Sequence, residues 1–427
     1  MAEPLLRQPL LRWPDVRALR RRVRWMRYFG PAFLVSVGYM DPGNWATDIE
    51  AGSRFGYSLL WVITLSSLMA IFLQILAAKL GLATGKDLAT LCREQYRSPW
   101  RQILFLTAAL AMMATDLAEF MGVALALNLL FGIPLAWTAL ITFLDVLLIL
   151  YLERFGFRII ELVIIGFVAA IGLAYVVELA WAQPDWGQVA RHAFWPDERI
   201  GAAEALFVAV GILGATVMPH NLYLHSAQVR NRLADGLKRE RLYRLSVWDT
   251  ILALNVAWLI NSSILIVSSA VFHENGVLVT DIDQAYRTLE PLLGKAAALT
   301  FALALLASGI SSSTTATLAG QYVFQGFLRL DRLSPALIRL GTRTATMLPA
   351  LLAIWLHARP MSLLVLSQVI LSFQLPFAVI PLVRLTSRRD LMGELVNKTW
   401  QQVLGWVMAA CIVGLNLWLL ALGALGH

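Results

Sequence analysis

The stretch Gly38-Tyr39-Met40-Asp41-Pro42-Gly43-Asn44 decides the fold. It sits at the centre of an otherwise apolar run, roughly residues 30–52, long enough to cross a bilayer as a helix. Pro42 removes a backbone donor and the nearby glycines loosen the turn, so the helix breaks there. At membrane depth a broken backbone survives only where protein or a polar cavity surrounds it. Asp41 adds a carboxylate where an unpartnered charge is costly. A second apolar run, roughly 202–225, is interrupted in the same way by Ala215-Thr216-Val217-Met218-Pro219-His220-Asn221. Two broken helices imply a polar site at the midplane.

The rest of the chain agrees. Of its 427 residues 59% are hydrophobic and 15% charged, against roughly 45–50% and about 25% in soluble domains. That composition excludes a soluble enzyme, a nucleic-acid binder and a disordered scaffold. Eleven stretches read as membrane spans: roughly 30–52, 58–82, 103–130, 134–152, 159–181, 202–225, 247–272, 292–320, 342–357, 361–385 and 401–425. The breaks fall in the first and sixth, the opening members of two successive sets of five. Broken segments in corresponding positions of two halves point to an inverted-repeat transporter with its site at the midplane. The fold expected is an all-α integral membrane protein of eleven helices in a 5+5 inverted repeat.

Residues 1–28 carry eight arginines and no compact apolar stretch ending in a cleavage site, which reads as a basic cytoplasmic leader. Residues 29–385 form the ten-helix core, and 386–427 a cytoplasmic loop plus the eleventh helix. Most of the 35 lysines and arginines fall in loops on the side of the N-terminus, Arg17 to Arg27 and Arg230 to Arg244 above all. The positive-inside rule then places the N-terminus in the cytoplasm and the C-terminus outside. The net charge of +8 reads as this bias, with Arg20 to Arg22 touching anionic lipid rather than nucleic acid. Cys92 and Cys411 form neither a disulfide framework nor a metal-ligand spacing.

Asp41 and Asn44, three apart, can turn their oxygens to one point. Unwound backbone around Gly38 and Ala215 frees carbonyl oxygens that need a partner. Met218 adds a thioether sulfur. An anion, an amide oxygen, carbonyls and a sulfur make a cation site, and sulfur favours softer transition metals over magnesium or calcium. Asp116 and Glu119 share a helix face. Arg343, at the start of the ninth stretch, needs a carboxylate partner, and His220 can titrate near neutral pH. His225 reads as interfacial, and Asp145 and Asp249 as partners between helices.

Asp41-Pro42-Gly43-Asn44 and Met218-Pro219-His220-Asn221 together resemble the signature of the Nramp family of proton-coupled divalent transition-metal transporters. The resemblance extends through Ala114-Thr115-Asp116-Leu117-Ala118-Glu119, Ala307-Ser308-Gly309 with Ser311-Ser312, Ser367-Gln368-Val369-Ile370-Leu371-Ser372 and Leu375-Pro376-Phe377-Ala378, covering about residues 25–385. It implies a LeuT-type fold that carries manganese and ferrous iron into the cytoplasm with protons. It also implies that Asp41, Asn44 and Met218 bind metal through side chains, Ala215 and Gly38 through carbonyls, and Gln368 on closure of the site. Asp116, Glu119, His220 and Arg343 would form the proton pathway. The sequence departs from the family pattern at Gly38, where alanine is usual, and at Ala109, Ile310 and Gln325, where polar or acidic residues are usual.

No resident cofactor is expected. The partners are divalent metals, protons and the lipid bilayer, with one chain sufficient for function. Rival readings fare worse. A cation-coupled amino-acid symporter would set Asp41 against its substrate's carboxylate, and a carrier of a hard cation such as magnesium has no use for Met218. An intramembrane hydrolase needs a nucleophile–base set that the sequence does not offer, and a channel builds its filter from rings of subunits.

Overall fold

A computed structural model of the chain describes residues 30–142, 144, 157–196, 203–330, 333–356 and 359–424. The basic leader, including Arg20 to Arg22, most of the second half of the fourth stretch with Asp145, and His427 lie outside the described residues. Among the described residues the secondary structure is helical, and nine helical runs are long and apolar enough to cross a membrane. One of them, Pro42–Thr84, holds the second half of the first stretch and all of the second, and Pro31–Met40 is a separate short apolar helix. The fourth stretch is described mainly by the helix Leu135–Thr142.

Span 1 runs as Pro31–Ser36, a 3₁₀ turn Val37–Met40, and Pro42–Phe55. Asp41 is extended between them (φ −68°, ψ 165°), with its carboxylate capping the second half by accepting from Asn44 N at 2.9 Å. Pro42 occupies the first helical position, where its missing N–H costs nothing. Span 6 repeats the scheme as Ala203–Val217 and Pro219–Gln228, joined by Met218 at φ 25°. A side chain in that left-handed region costs about 1–3 kcal/mol and persists only where its surroundings enforce it.

The ninth helix, Pro335–Trp355, starts well before the expected residue 342, so Arg343 lies inside it rather than at its start. Its first turns look polar in the sequence because Arg339 and Arg343 interrupt them, yet both are buried in the protein. Three short helices, Leu88–Gln95, Trp186–Phe194 and Ile282–Leu293, lie between spans. They are amphipathic, as in Ile282, Ala285 and Leu289, which are buried on one face.

Span 6 is the most enclosed element: 94% of its apolar window is buried, against 17% for the eleventh helix, Thr399–Ala424. Leu68, Leu106, Leu173 and Leu417 point outward, as lipid-facing side chains do. Span 6 meets span 10, Pro360–Thr386, backbone to backbone, since a Cβ on Gly214 would stand 1.9 Å from the Gln368 carbonyl. Asp249 of span 7, Arg239–Ser268, holds the start of span 1 by accepting from Gly30 N at 3.2 Å and Ala32 N at 3.1 Å. It is the partner between helices that the sequence suggests.

Candidate metal site

The two breaks meet. Asn44 donates from Nδ2 to Asp41 Oδ1 at 2.7 Å and to the Ala215 carbonyl at 3.0 Å, joining span 1 to span 6 across the gap. Its Oδ1 faces away and accepts from Asn261 Nδ2 of span 7 at 3.1 Å, and the same amide donates to the Tyr39 carbonyl at 2.7 Å. Asn44 thus presents its donor, not its oxygen, to the other expected ligands. The amide N–H is the positive pole that sits between the carboxylate and the carbonyl.

Asp41, Asn44, Ala215, Met218 and Gln368 are each at most 1% exposed. Asp41 Oδ2, Gln368 Oε1 and Thr216 Oγ1 make no hydrogen bond among the described residues. Buried oxygens left this way are costly unless something arrives to meet them. Gly43 lets span 10 approach. A Cβ there would lie 1.9 Å from Gln368 Nε2 and 3.0 Å from Asp41 Oδ2, so the two side chains crowd one point above the glycine.

Gly38 does the same for span 6. A Cβ on it would lie 2.4 Å from Asn221 Nδ2, which donates to the Met218 sulfur at 3.4 Å. The family's usual alanine would therefore push Asn221 aside in this arrangement. Gly38 belongs to the 3₁₀ turn Val37–Met40, which ends just before Asp41. Asn221 and Asn261 are the residues that the sequence reading missed as members. Asn221 ends the second break motif, so a signal was present, whereas nothing local marks Asn261.

Beyond the site, Asp116 accepts from Arg343 and from Thr346, and Arg343 reaches Glu119 at 3.5 Å. Ser313 accepts from the same guanidinium, tying spans 3, 8 and 9 together. His220 pairs through Nδ1 with Thr115 Oγ1 at 3.0 Å, next door to Asp116. All four expected pathway residues therefore lie in one continuous neighbourhood. His225 is not interfacial. It is 1% exposed and pairs with Gln74 Oε1 at 2.9 Å, whose Nε2 donates to the Tyr39 hydroxyl at 2.7 Å. Span 6 is enclosed along its whole length, so even its distal turns face protein. Among the described residues no three His, Cys, Asp or Glu side chains gather as a metal cluster.

The model of the Natural resistance-associated macrophage protein-like family, Nramp, matches residues 32–422. The chain belongs to the Nramp family. It is 51% identical over 416 residues to the divalent metal cation transporter MntH of a Nostoc species, covering 96% of this chain and 93% of that one. It is also 51% identical to MntH of Xanthomonas campestris, over 94% and 92% of the two chains. The solved manganese transporter of Eremococcus coleocola superposes with a TM-score of 0.84 at 37% identity, over 95% of this chain and 88% of that one. A likeness of fold alone extends to MhsT, with a TM-score of 0.63 at 13% identity. The fold of this Nramp protein is thus the broken-helix, LeuT-type architecture that the sequence implies.

Proposed function

We propose that this Nramp protein imports divalent transition metals, manganese and ferrous iron among them, together with protons by alternating access. It is a carrier and not an enzyme, it needs no resident cofactor, and one chain suffices. It sits in the cell (inner) membrane with its N-terminus cytoplasmic and its C-terminus outside. The observation that carries the reading is the meeting of the two breaks. There a carboxylate oxygen of Asp41 and an amide oxygen of Gln368 lack partners, beside a thioether held at a strained backbone position. Hard ions alone would explain the oxygens, but the sulfur selects softer ones. An arriving metal takes the place of the Asn44 amide donor, which frees Asp41 Oδ1 and the Ala215 carbonyl for it and lets the amide turn its oxygen inward. Asp116, Glu119, Arg343 and His220 hold the protons' route, one step from the metal.

The test is manganese uptake into proteoliposomes by Asp41→Ala, with internal pH recorded in the same vesicles. Uptake should fall to background while the protein remains folded and monodisperse. Loss of the one charged ligand removes several kcal/mol of the attraction that offsets dehydration of a divalent ion. Wild-type uptake by the variant would overturn the assignment.

A further inference from the structure

A second group of buried polar atoms lies in the half of the protein that this orientation turns outward. Asp48 follows Asp41 by seven residues, nearly two turns, and so lies about 10 Å further along span 1 on a similar face. It is 1% exposed, and its Oδ2 has no hydrogen-bond partner among the described residues. On span 5, Phe157–Ala182, Tyr175 and Glu178 are three apart and share a face. Both oxygens of Glu178 and the hydroxyl of Tyr175 lack partners, at 1% and 2% exposure. The Tyr175 ring packs edge-on against Trp45 at 5.2 Å, which brings span 5 against span 1 one turn beyond Asp41. Tyr175 is within electrostatic reach of both Asp48 and Glu178, and Asp48 of Asp41.

We propose that Asp48, Tyr175 and Glu178 form a second, oxygen-lined cation site that a divalent metal occupies on its way from outside to Asp41. The proposal rests on the import reading above. Intramembrane carboxylates are retained where they pair or line an ion path, and no ion pair among the described residues engages either of these. The Tyr175 hydroxyl is the feature that acids alone would not supply: a neutral oxygen, buried and unpartnered, one turn from Glu178 on span 5. The Tyr175 ring packs on Trp45, itself about one turn from Asp48 on span 1. The Trp45 indole N–H, also unpartnered, can steady a carboxylate but cannot bind a cation. Carboxylate and hydroxyl oxygens take hard and borderline ions alike. This site therefore collects divalent cations without choosing among them, and the choice is left to Met218. Its carboxylates also replace part of the ion's hydration before the narrower shell at Asp41.

The experiment uses the purified full chain and manganese alone, read by loss of the free-ion paramagnetic resonance signal on binding. Asp41→Ala should abolish uptake yet keep one weaker manganese site, displaced by calcium, and adding Glu178→Gln should remove that site. In transport, Glu178→Gln alone should raise the KM for manganese about tenfold with the maximal rate within about twofold, because ground-state binding is lost rather than a step of the cycle. Tyr175→Phe, which keeps the packing, should raise KM less and serves if the glutamate variant does not fold. An Asp41→Ala protein that is dead in uptake and binds no manganese would overturn the second site and leave the import reading standing. So would a double variant that binds as Asp41→Ala does, or a Glu178→Gln protein that loses maximal rate at unchanged KM. An Asp41→Ala protein that transports like wild type would overturn the import reading instead.

Discussion

In the proposed function, Met218 is where a single side chain sets the chemistry. Its backbone is strained and its sulfur accepts from Asn221, whose amide fits only because Gly38 lacks a Cβ. On the proposed function, truncation removes a thioether that would give hard ions little and would occupy a place where they take oxygen. Met218→Ala should keep measurable manganese uptake, with water in place of the sulfur, and should lose more affinity for cadmium than for manganese. Calcium and magnesium should begin to compete. Competition of both ions with labelled manganese, wild type beside variant, checks this, and a wild type that already carries magnesium as well as manganese would defeat the transition-metal reading. Asp41, Met218 and the two breaks were legible in the sequence because each break is written in seven consecutive residues. The direction of the Asn44 amide was not, because it depends on which oxygens span 6 and span 7 bring to it. His225 was misread for the same reason: its partner Gln74 lies 151 residues away.

At the scale of elements, the helices around the site are held by side chains that complete one another's backbone. Span 10 contains Pro376, which has no N–H to give the Ser372 carbonyl one turn earlier. Asn416 of the eleventh helix supplies the missing donor at 2.8 Å and accepts from the Ser372 hydroxyl at 2.9 Å. The eleventh helix, outside the repeat, thus repairs the helix that carries Gln368, a role that neither proline nor asparagine reveals alone. Asn416→Leu strands that carbonyl and should cost about 1–3 kcal/mol, read as a lower midpoint in detergent thermal unfolding; an unchanged midpoint would mean the carbonyl finds another donor. The Asp116–Arg343 knot is the other case. Its shared helix face was legible from spacing, whereas its reach to Ser313 and Thr346 needed the packing of spans 8 and 9. Asp116→Asn keeps size but removes a titratable group. It should flatten the pH dependence of uptake while manganese affinity changes little. Calorimetry together with uptake at two pH values distinguishes this from the opposite pattern, which would make Asp116 a ligand or a purely structural clamp.

For the whole molecule, the decisive quantity is the parity of the crossings. Ten of the eleven sequence stretches lie in helices long and apolar enough to cross a membrane, spans 1 and 6 each as two half-helices. The fourth enters the described residues chiefly through Leu135–Thr142, too short to span alone. That it crosses is part of the proposed topology, on the ground of charge. Arg93, Arg97 and Arg101 precede the third span, and Arg230 to Arg244 lie between the sixth and seventh. If the fourth stretch did not cross, those two clusters would face opposite sides of the membrane, against the bias that orients such proteins. The chain just ahead of the first cluster meets the second: Arg230 pairs with Asp87 at 3.1 Å, and Arg239 donates to the Ala83 carbonyl at 2.6 Å. One end of the bundle therefore gathers Arg230 and Arg239 with the end of the second span, which is why the proposed topology takes an even number of crossings from the third span to the sixth. The proposed topology then has an odd total of eleven, with the termini on opposite sides. A reporter that fluoresces only in the cytoplasm should be bright when fused at the N-terminus and dark at the C-terminus, and a periplasmic enzyme reporter should give the reverse. Matching signals at both ends would make the total even and remove a crossing. A swapped pattern would keep eleven crossings but turn Asp48 and Glu178 toward the cytoplasm, against the outward-facing second site proposed above.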